Sequence, residues 1–310
     1  MQKKKTYGFL FLKIEIMKLF RSILPFLLLS FVAQAQSPVK DGAILAEFSV
    51  SDSTKVYFSQ GNLQYQASTG TWRFAEHQWD FVGDSVKGNV YEKGIKSNNA
   101  KISSTYDGWI DLFGWGTSGY NGKKPFMISW DYFEYYNSDN DIAGTNYDWG
   151  VYNAISNGEN QVGLWKTLTH DEWEYLTETR ANASGKKGVA SVNGVNGLIL
   201  LPDEWTLPEG ILFKNGLAND AGSEFYATVN NYTASEWSKM EANGAVFLPA
   251  AGYRYGTYVN DVDSYSNLWS STTLGNDFNQ FLTFNSYHVG MYFCQSHLGL
   301  SVRLVQDVKK

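Results

Sequence analysis

Cysteine is almost absent from this chain of 310 residues, in which Cys294 is the only one. A single thiol excludes an intrachain disulfide, and it also excludes any zinc site built from several cysteines. The fold must therefore be held together by a hydrophobic core, and the chain is long enough to bury a large one.

Basic residues are also few. Lys and Arg number 25 against 31 Asp and Glu, which gives a formal net charge of −6. Residues 1–35 hold six of the basic residues and one of the acidic ones, so the chain without them would carry −11. Phosphate backbones and anionic lipids repel an acidic protein. Nucleic acid and anionic membrane surfaces are therefore not predicted as partners.

An apolar run near the N-terminus, from Ile23 to Val32, is shorter than the roughly 18 residues that a membrane-spanning helix needs. Lys18 and Arg21 precede this run, and the small-residue motif Ala-Gln-Ala follows it at positions 33–35. This order predicts a secretory signal over residues 1–35 with cleavage before Gln36, although a membrane anchor remains the alternative.

The signal predicts that the mature protein is secreted or displayed at the cell surface, with no membrane insertion after cleavage. Met17 opens a complete signal by itself and is a candidate start codon. No cysteine follows the cleavage site directly, so a lipid-anchored N-terminus is not predicted.

Common catalytic signatures are missing from the sequence. It contains no G-x-S-x-G, no H-E-x-x-H and no glycine-rich phosphate loop. Its many carboxylates could be paired in numerous ways, and the sequence selects none of them for glycoside hydrolysis. We therefore assign no catalytic residue and no cofactor.

Aromatic residues are abundant, at 16% of the chain, with 11 Trp and 20 Tyr. Part of this content belongs to the core. The remainder lies in Gly- and Asn-rich surroundings, where Tyr and Trp are typical of recognition surfaces because they offer a large contact area at low entropic cost.

Local patterns predict an α+β fold rich in strands. Residues 43–50, 55–66 and 71–79 are predicted strands, and the turn ASTG should join the last two as a hairpin. Residues 83–100 are a predicted surface loop, and DGWIDLFGWGTSGY is predicted to be irregular backbone close to the core. Residues 195–205 contain a further apolar strand that ends at Pro202.

Two helices are predicted from capping boxes. Thr169 and Glu172 begin the first, with Trp173 and Leu176 facing inward. A second helix begins at T-A-S-E, residues 233–236, and stops at Gly244. No repeat and no linker divides the chain. We expect a short N-terminal segment over residues 36–49, followed by a single domain over residues 50–306.

Five motifs of the sequence occur in a recognisable order. They are WKTLTHDEWEYLTETRANA (Trp165–Ala183), LPDEW (Leu201–Trp205), FLPAAGYR (Phe247–Arg254), WSST (Trp269–Thr272) and GLSVRLV (Gly299–Val305). Together they resemble the Fibrobacter-type major paralogous domain of secreted Bacteroidetes proteins. That group is similar to the formylglycine-generating enzyme family and to the variable proteins of diversity-generating retroelements, and the resemblance implies their C-type lectin-like fold.

The branches of this group imply different functions. The formylglycine-generating enzymes oxidise their substrate with a pair of copper-holding cysteines near the C-terminus, and Cys294 alone cannot supply that pair. Arg303 occupies the place of their nearly terminal Arg, and we expect it to be paired inside the fold rather than in contact with a ligand. The variable proteins bind through loops that correspond to residues 255–267, 274–279 and 285–297.

We therefore predict a ligand-binding protein that recognises a glycan or a cell-surface protein through these C-terminal loops. The alternatives are a component of a surface structure, or an enzyme on a formylglycine-generating-like scaffold without the Cys pair. Rings, amides and carboxylates of the kinds that bind sugars and proteins occur together in the loops. The predicted ligand-binding residues are Tyr255, Tyr258, Asn260, Asp261, Asp263, Tyr265, Asn276, Asp277, Asn279, Tyr287, His288, Tyr292 and His297.

Two metal sites were considered and are not predicted. His288, Cys294 and His297 match no established ligand spacing. The carboxylates in SDNDIAGTNYD, residues 138–148, could offer oxygen atoms to calcium, but their spacing differs from that of an EF-hand loop. A solvated acidic loop is the expectation there.

Overall fold

The computed structural model describes residues 39–82, 102–218 and 230–309. All of them belong to one compact unit, Ser37–Lys310. The predicted signal at residues 1–35 and the predicted loop at residues 83–100 lie outside the described residues. Within the described ranges, no helix is both long enough and apolar enough to cross a bilayer.

The described chain is rich in strands and contains few helices, as predicted for an α+β protein. The helices are α1 (Trp149–Tyr152), α2 (His170–Glu174) and α3 (Ala234–Ala242). The strands are β1 (Val39–Lys40), β2 (Ala43–Ile44), β3 (Phe48–Ser49), β4 (Lys55–Phe58), β5 (Leu63–Gln66), β6 (Thr71–Phe74), β7 (Trp109–Ile110), β8 (Lys166–Thr167), β9 (Lys187–Val192), β10 (Val195–Leu200), β11 (Asn231–Tyr232), β12 (Val246–Pro249), β13 (Tyr253–Tyr255), β14 (Tyr258–Asn260), β15 (Ser266–Gly275), β16 (Phe278–Phe284), β17 (Val289–Gln295) and β18 (Leu304–Asp307).

Both predicted capping boxes are present. At the start of α2 the Thr169 hydroxyl accepts from the Glu172 amide, and the Glu172 carboxylate accepts from the Thr169 amide. The same reciprocal pair begins α3. These bonds satisfy amide groups that a helix leaves without partners in its first turn. α2 continues into a π-helical turn, Tyr175–Thr179, and α3 is followed by Gly244 at φ 87°.

The predicted strand over residues 55–66 is two strands in different sheets, so the single-strand prediction was wrong. The chain turns between β4 and β5 at Gly61, where a Cβ atom would lie 2.6 Å from the carbonyl oxygen of Ala75. Only glycine permits this close approach of two backbone segments. The predicted hairpin is present, since β5 and β6 pair antiparallel on either side of the ASTG turn.

The two four-stranded sheets have the orders β11-β9-β10-β12 and β3-β4-β18-β8. In the second sheet the last strand of the chain, β18, pairs with β4 on one side and with β8 on the other. Three-stranded sheets have the orders β6-β5-β7 and β15-β16-β17, and the remaining pairs are β1-β2 and β13-β14.

The core has three clusters of buried side chains. One lies beneath α2 and contains Trp173 and Leu176, and a second lies beneath α3 and contains Trp237 and Met240. The third is built mainly from aromatic rings and includes the indoles of Trp115, Trp149, Trp165 and Trp269. All six of the tryptophans in these clusters that are named here are fully buried.

Residues 39–49 belong to this packed structure. Ala43, Ile44 and Phe48 are buried, and β3 joins the sheet that contains β18. The packed unit therefore begins ahead of residue 50, where the sequence placed the start of the domain.

Candidate functional site

The sheet β15-β16-β17 has two faces with different surroundings. Leu282 and Phe284 of β16 point into the core beneath α2, together with Val289 and Met291 of β17. The opposite face carries rows of paired residues across the three strands. One row is Asn267, Thr283 and Gly290, and the next is Trp269, Phe281 and Tyr292. This outer face forms the floor of the candidate site.

The prediction of a loop over residues 285–297 was wrong for most of its length, because residues 289–295 form β17. The segment VGMYFCQ is rich in aromatic and β-branched residues, which favour strands. The predicted loop at residues 274–279 is a tight turn between β15 and β16, with Asn276 at φ 52° and Asp277 at φ 69°. Two successive positive φ angles are typical of a hairpin turn that follows the twist of its strands.

A groove of about 530 Å³ lies over the outer face of this sheet. Its second wall comes from β13 and from the turn that follows β14. The lining residues are Tyr253, Asp261, Tyr265, Asn267, Phe281, Thr283, Asn285, His288, Tyr292, Cys294, Leu298 and Leu300. We call this cavity the groove.

Aromatic rings shape the groove from its base to its rim. Along the middle row of the sheet, Trp269 is fully buried, Phe281 is 9% exposed and Tyr292 is 56% exposed. Tyr265 stands on the opposite rim and is 42% exposed. The apolar base therefore continues into the aromatic core, while the rim presents tyrosine rings to solvent.

Two asparagine side chains bring amide groups to the groove. Asn267 is 8% exposed, and its Oδ1 accepts a hydrogen bond of 2.7 Å from the Thr283 hydroxyl. Asn285 Oδ1 accepts a bond of 2.7 Å from the Tyr287 amide. Neither side-chain NH2 group donates a hydrogen bond to any residue in the described ranges, so both remain available to a ligand.

Among the described lining residues, Asp261 alone provides a carboxylate. Its backbone has φ 57°, and its carbonyl oxygen accepts from the amides of Ser264 and Tyr265. Its carboxylate makes no hydrogen bond or ion pair within the described part of the chain. Partial burial raises the pKa of this carboxyl above its ordinary value. In the described part of the chain, no Lys or Arg lines the groove.

A second polar group lies at the opposite end of β16 and β17 and is buried. The Ser296 hydroxyl donates to Asp277 or to the carbonyl oxygen of Tyr136, and it accepts a 2.8 Å bond from Asn279 Nδ2. Ser296, Asn279, Asp277 and His297 are at most 5% exposed. We call these four residues the polar knot.

Ionisation is disfavoured inside the polar knot. Burial raises the pKa of Asp277, and burial lowers the pKa of His297 with a further contribution from the positive charge of Arg254. The Cys294 thiol lies close by, and burial raises its pKa well above the ordinary value. A thiol held in this protonated form is a poor nucleophile and a poor metal ligand.

The structure thus separates the predicted ligand-binding residues into groups. Asp261, Tyr265, His288 and Tyr292 line the groove, whereas Asp277, Asn279 and His297 belong to the polar knot. The other predicted residues lie on neighbouring surfaces and do not line the groove: Tyr255, Tyr258, Asn260, Asp263, Asn276 and Tyr287.

Several of these outlying residues have structural contacts. The Tyr255 ring packs against Trp130, with 4.1 Å between centroids, and also faces His297 at 5.4 Å. Asp263 accepts a 2.9 Å hydrogen bond from the backbone amide of Asn196. The Asn276 amide donates to Asp139 at 3.2 Å.

Sequence reasoning missed most of the groove floor because it searched loops. Asn267 and Thr283 lie within β15 and β16, as polar residues that alternate with buried Leu268 and Leu282. That alternation was the available signal, since successive strand residues point to opposite faces of a sheet. The other lining residues it missed are Tyr253, Phe281, Asn285, Cys294, Leu298 and Leu300.

The acidic segment at residues 138–148 is not a solvated loop throughout, and that expectation was wrong. Asp148 is fully buried, caps α1 at the Gly150 amide and accepts two bonds from Thr167. Burial raises its pKa to about 6. Asp139 and Asp141 instead accept hydrogen bonds from amides of the β15-β16 hairpin. The three carboxylates serve separate hydrogen bonds.

Within the described ranges, the one cluster with the geometry to hold a metal ion is His170, Asp171 and Glu174, at the start of α2. Asp171 and Glu174 are exposed, and Asp171 lies in the first turn of the helix, where negative charge is favourable without any ion. His288, Cys294 and His297 form no such cluster.

Two fully buried arginines brace the scaffold around the site. Arg254 donates to the carbonyl oxygens of Leu112, Gly256 and Met127. Arg303 donates to the carbonyl oxygen of Phe247 and to the side chain of Gln78. Burial lowers the pKa of Arg303 to about 9. Arg303 is therefore paired inside the fold, as predicted.

The chain matches no family model, no curated protein and no solved structure.

Proposed function

We propose that the protein is a secreted or cell-surface binding module that captures its ligand in the groove. The observation that carries this proposal is Asn267, a side chain that is 8% exposed and whose NH2 group has no partner within the described chain. A donor that has no partner among the described residues and opens into a cavity supports a role in ligand binding. The export signal at residues 1–35 supports the location.

The fold we propose is C-type lectin-like, and the family is the Fibrobacter-type major paralogous domain that the five motifs resemble. In this proposal the motifs FLPAAGYR, WSST and GLSVRLV form scaffold around the groove. Buried Arg254, Trp269 and Arg303 support that division, because each donates hydrogen bonds to groups of the protein itself. We propose no catalytic role, since Cys294 cannot provide the cysteine pair of the related oxidising enzymes.

The test is binding to an array that carries glycans beside extracellular protein domains. We expect the wild-type protein to label at least one of them, and the double variant Asn267→Leu with Tyr292→Ala to lose that labelling. Tyr258→Ala, which changes an exposed ring outside the groove, should label as the wild type does. Labelling that survives the double variant, or an array with no labelled feature, would overturn the proposal.

A role in assembly is the second candidate function, and β17 supports it. This strand pairs only with β16 among the described strands, and its sequence VGMYFCQ contains no charged residue and no proline. Edge strands without such protection can pair with other chains. Phe293 is 56% exposed on the face away from the groove, so Phe293→Lys should reduce self-association in sedimentation analysis while ligand binding is retained.

A further inference from the structure

The groove has an uneven distribution of charge, which restricts what it can bind. Asp261 brings a carboxylate to the lining, and none of the lining residues that the structure describes is a Lys or an Arg. The chain is acidic overall, with a formal net charge of −6. A carboxylate, sulfate or phosphate on a ligand would therefore meet repulsion and no compensating cation. Neutral ligands are favoured on electrostatic grounds.

The polar groups of the groove offer both donors and acceptors. The NH2 groups of Asn267 and Asn285 can only donate, and the Asp261 carboxylate can only accept when it is ionised. A hydroxyl group donates one hydrogen bond and accepts others, so neighbouring hydroxyls on one molecule can satisfy both kinds of group. The hydrogen bond to the carboxylate would be the stronger one, because it is assisted by charge.

The aromatic lining suits a ligand with apolar faces. Tyr265 and Tyr292 rise on the two sides of the opening, and Phe281 lies at the base. Tyrosine and phenylalanine rings present flat apolar surfaces against which the C–H groups of a sugar ring can pack. A pyranose combines such faces with hydroxyl groups at its edge, which is the combination that the groove presents.

The size of the groove also distinguishes a sugar from a folded protein. About 530 Å³ is within the range of roughly 300–1,000 Å³ that is usual for small-molecule sites. A stable protein partner would need to cover about 800 Å² of surface on each side. Such a partner would have to contact much more than this cavity.

We infer that the groove is a binding subsite for one neutral sugar residue of a glycan, with neighbouring hydroxyls held by Asp261 and Asn267 and the ring packed against Tyr265 and Tyr292. This inference rests on the proposed binding function and names its ligand class. Asp261 is the single carboxylate among the described lining residues, so the sugar is held without a bridging cation.

Saturation-transfer NMR with soluble sugars tests this directly. The neutral probes are the methyl glycosides of glucose, galactose, mannose and N-acetylglucosamine, and the acidic probes are glucuronate and N-acetylneuraminate. We expect transfer to at least one neutral probe and to neither acidic probe, unchanged by EDTA. Transfer to an acidic probe equal to that of the neutral ones, or loss of transfer with EDTA, would overturn the inference.

Substitutions of groove residues test whether the sugar binds in the groove. Asp261→Asn should lower the affinity for the neutral probe about tenfold and reduce the discrimination against glucuronate, because a charge-assisted bond and a repulsive charge are both removed. Asn tolerates the positive φ of this position, so the backbone should be retained. Asp263→Asn is the matched control, with the same charge change and a positive φ of 61° outside the groove lining, and it should bind as the wild type does.

Asn267→Leu should lower the affinity for the neutral probe to a similar extent while the melting temperature stays close to that of the wild type. Sugar binding that survives both Asn267→Leu and Asp261→Asn would place the sugar outside the groove and contradict the inference. If no sugar binds, yet a protein on the array is captured in a manner that depends on Asn267 and Tyr292, the sugar inference falls and the proposed binding function stands.

Discussion

The two ends of the β16-β17 hairpin contain the same kinds of polar side chains and differ in how those side chains are satisfied. At the polar knot, Asp277, Asn279 and Ser296 bond to one another and to the backbone. At the groove, Asn267 and Asn285 use their oxygen atoms within the fold and leave their NH2 groups free among the described residues. In the polar knot, Asp277 Oδ2 and His297 Nδ1 also have no partner among the described residues, but they are buried. The candidate site therefore differs from the scaffold in that its unused NH2 groups face a cavity, and not in its residue types.

A covering segment accounts for the difference. Over the polar knot the chain supplies the amide of Trp115, which donates to the Ser296 carbonyl, and the carbonyl of Tyr136, which faces the Ser296 hydroxyl. Over the groove, β13 and the turn at residues 261–265 stand to one side and leave a cavity. The comparison predicts that substitutions in the polar knot lower stability and that substitutions in the groove mainly change binding.

The largest effect should come from Ser296→Ala. Removal of this fully buried hydroxyl leaves Asn279 Nδ2 and Asp277 with fewer partners, so the free energy of unfolding should fall by about 1–3 kcal/mol in urea denaturation. The matched control is Ser301→Ala, because the Ser301 hydroxyl is fully buried without a hydrogen-bond partner. That variant should be as stable as the wild type or more so, and equal losses in both would contradict the comparison.

The next effect concerns the loss of folding stability at acidic pH. The pKa of His297 is lower in the folded chain than in the unfolded one, so below about pH 6.5 the unfolded chain binds a proton that the folded chain resists. His297 therefore reduces stability as the pH falls through this window, by at most about 1.4 kcal/mol per pH unit. His297→Gln should remove that dependence, measured as urea unfolding from pH 7.5 to 5.

The stability of His297→Gln must be subtracted from that of the wild type at each pH, because other buried groups change stability with pH in the opposite direction. The pKa of Asp148 is raised to about 6, so the folded chain gains stability from this group as the pH falls toward 4. Asp277 faces His297 and also has a raised pKa. His288→Gln in the groove serves as the control, and a difference curve that matched that of His297→Gln would contradict the prediction.

Two matched asparagines offer a further comparison of the two ends. Asn279→Leu breaks a buried bond to Ser296 and should lower the free energy of unfolding by roughly 1–3 kcal/mol. Asn267→Leu should lower it by less than about 1 kcal/mol, because the Thr283 hydroxyl retains the carbonyl of Ser266 at 3.3 Å. Calorimetric melting of both variants checks the order, and the reverse order would refute the assignment of the two ends.

The smallest effect on stability should come from Gly290→Ala, at a residue that pairs with the groove residue Thr283. A Cβ there would lie 2.9 Å from Nε2 of His288, an exposed side chain that is able to move. Stability should stay within about 1 kcal/mol of the wild type, since Ala is favoured over Gly in a strand, while sugar affinity should change. At Gly299 a Cβ would meet buried Arg254 at 2.8 Å, so Gly299→Ala should unfold at clearly lower denaturant.

Local features of the fold could be predicted from the sequence where the physical cause is itself local. The capping boxes at Thr169 and Thr233 and the ASTG hairpin need only residues within a few positions of one another. The break at Gly61 depends on the backbone of Ala75 approaching from another strand. That contact is a property of the folded chain, and no short sequence window contains it.

The site was predicted in part, for a related reason. Four of the proposed residues line the groove. They could be predicted because this part of the chain is visibly rich in polar and aromatic residues. Composition could not show that Asp261 lines the groove and that Asp277 is buried, since both are aspartates in polar segments that follow a strand. Even their backbone conformations agree, because both have a positive φ. They differ in their partners: the Ser296 hydroxyl donates to Asp277, and no described residue donates to the Asp261 carboxylate.

The position of β18 has a consequence for the order in which this protein can fold. The strand lies between β4, near the start of the described chain, and β8, so that sheet stays incomplete until the last residues are available. Pairing across such a long sequence separation carries a high entropic cost and slows folding. A growing chain that has not yet reached residue 307 cannot complete this sheet, so β4 and β8 wait for the strand that they share.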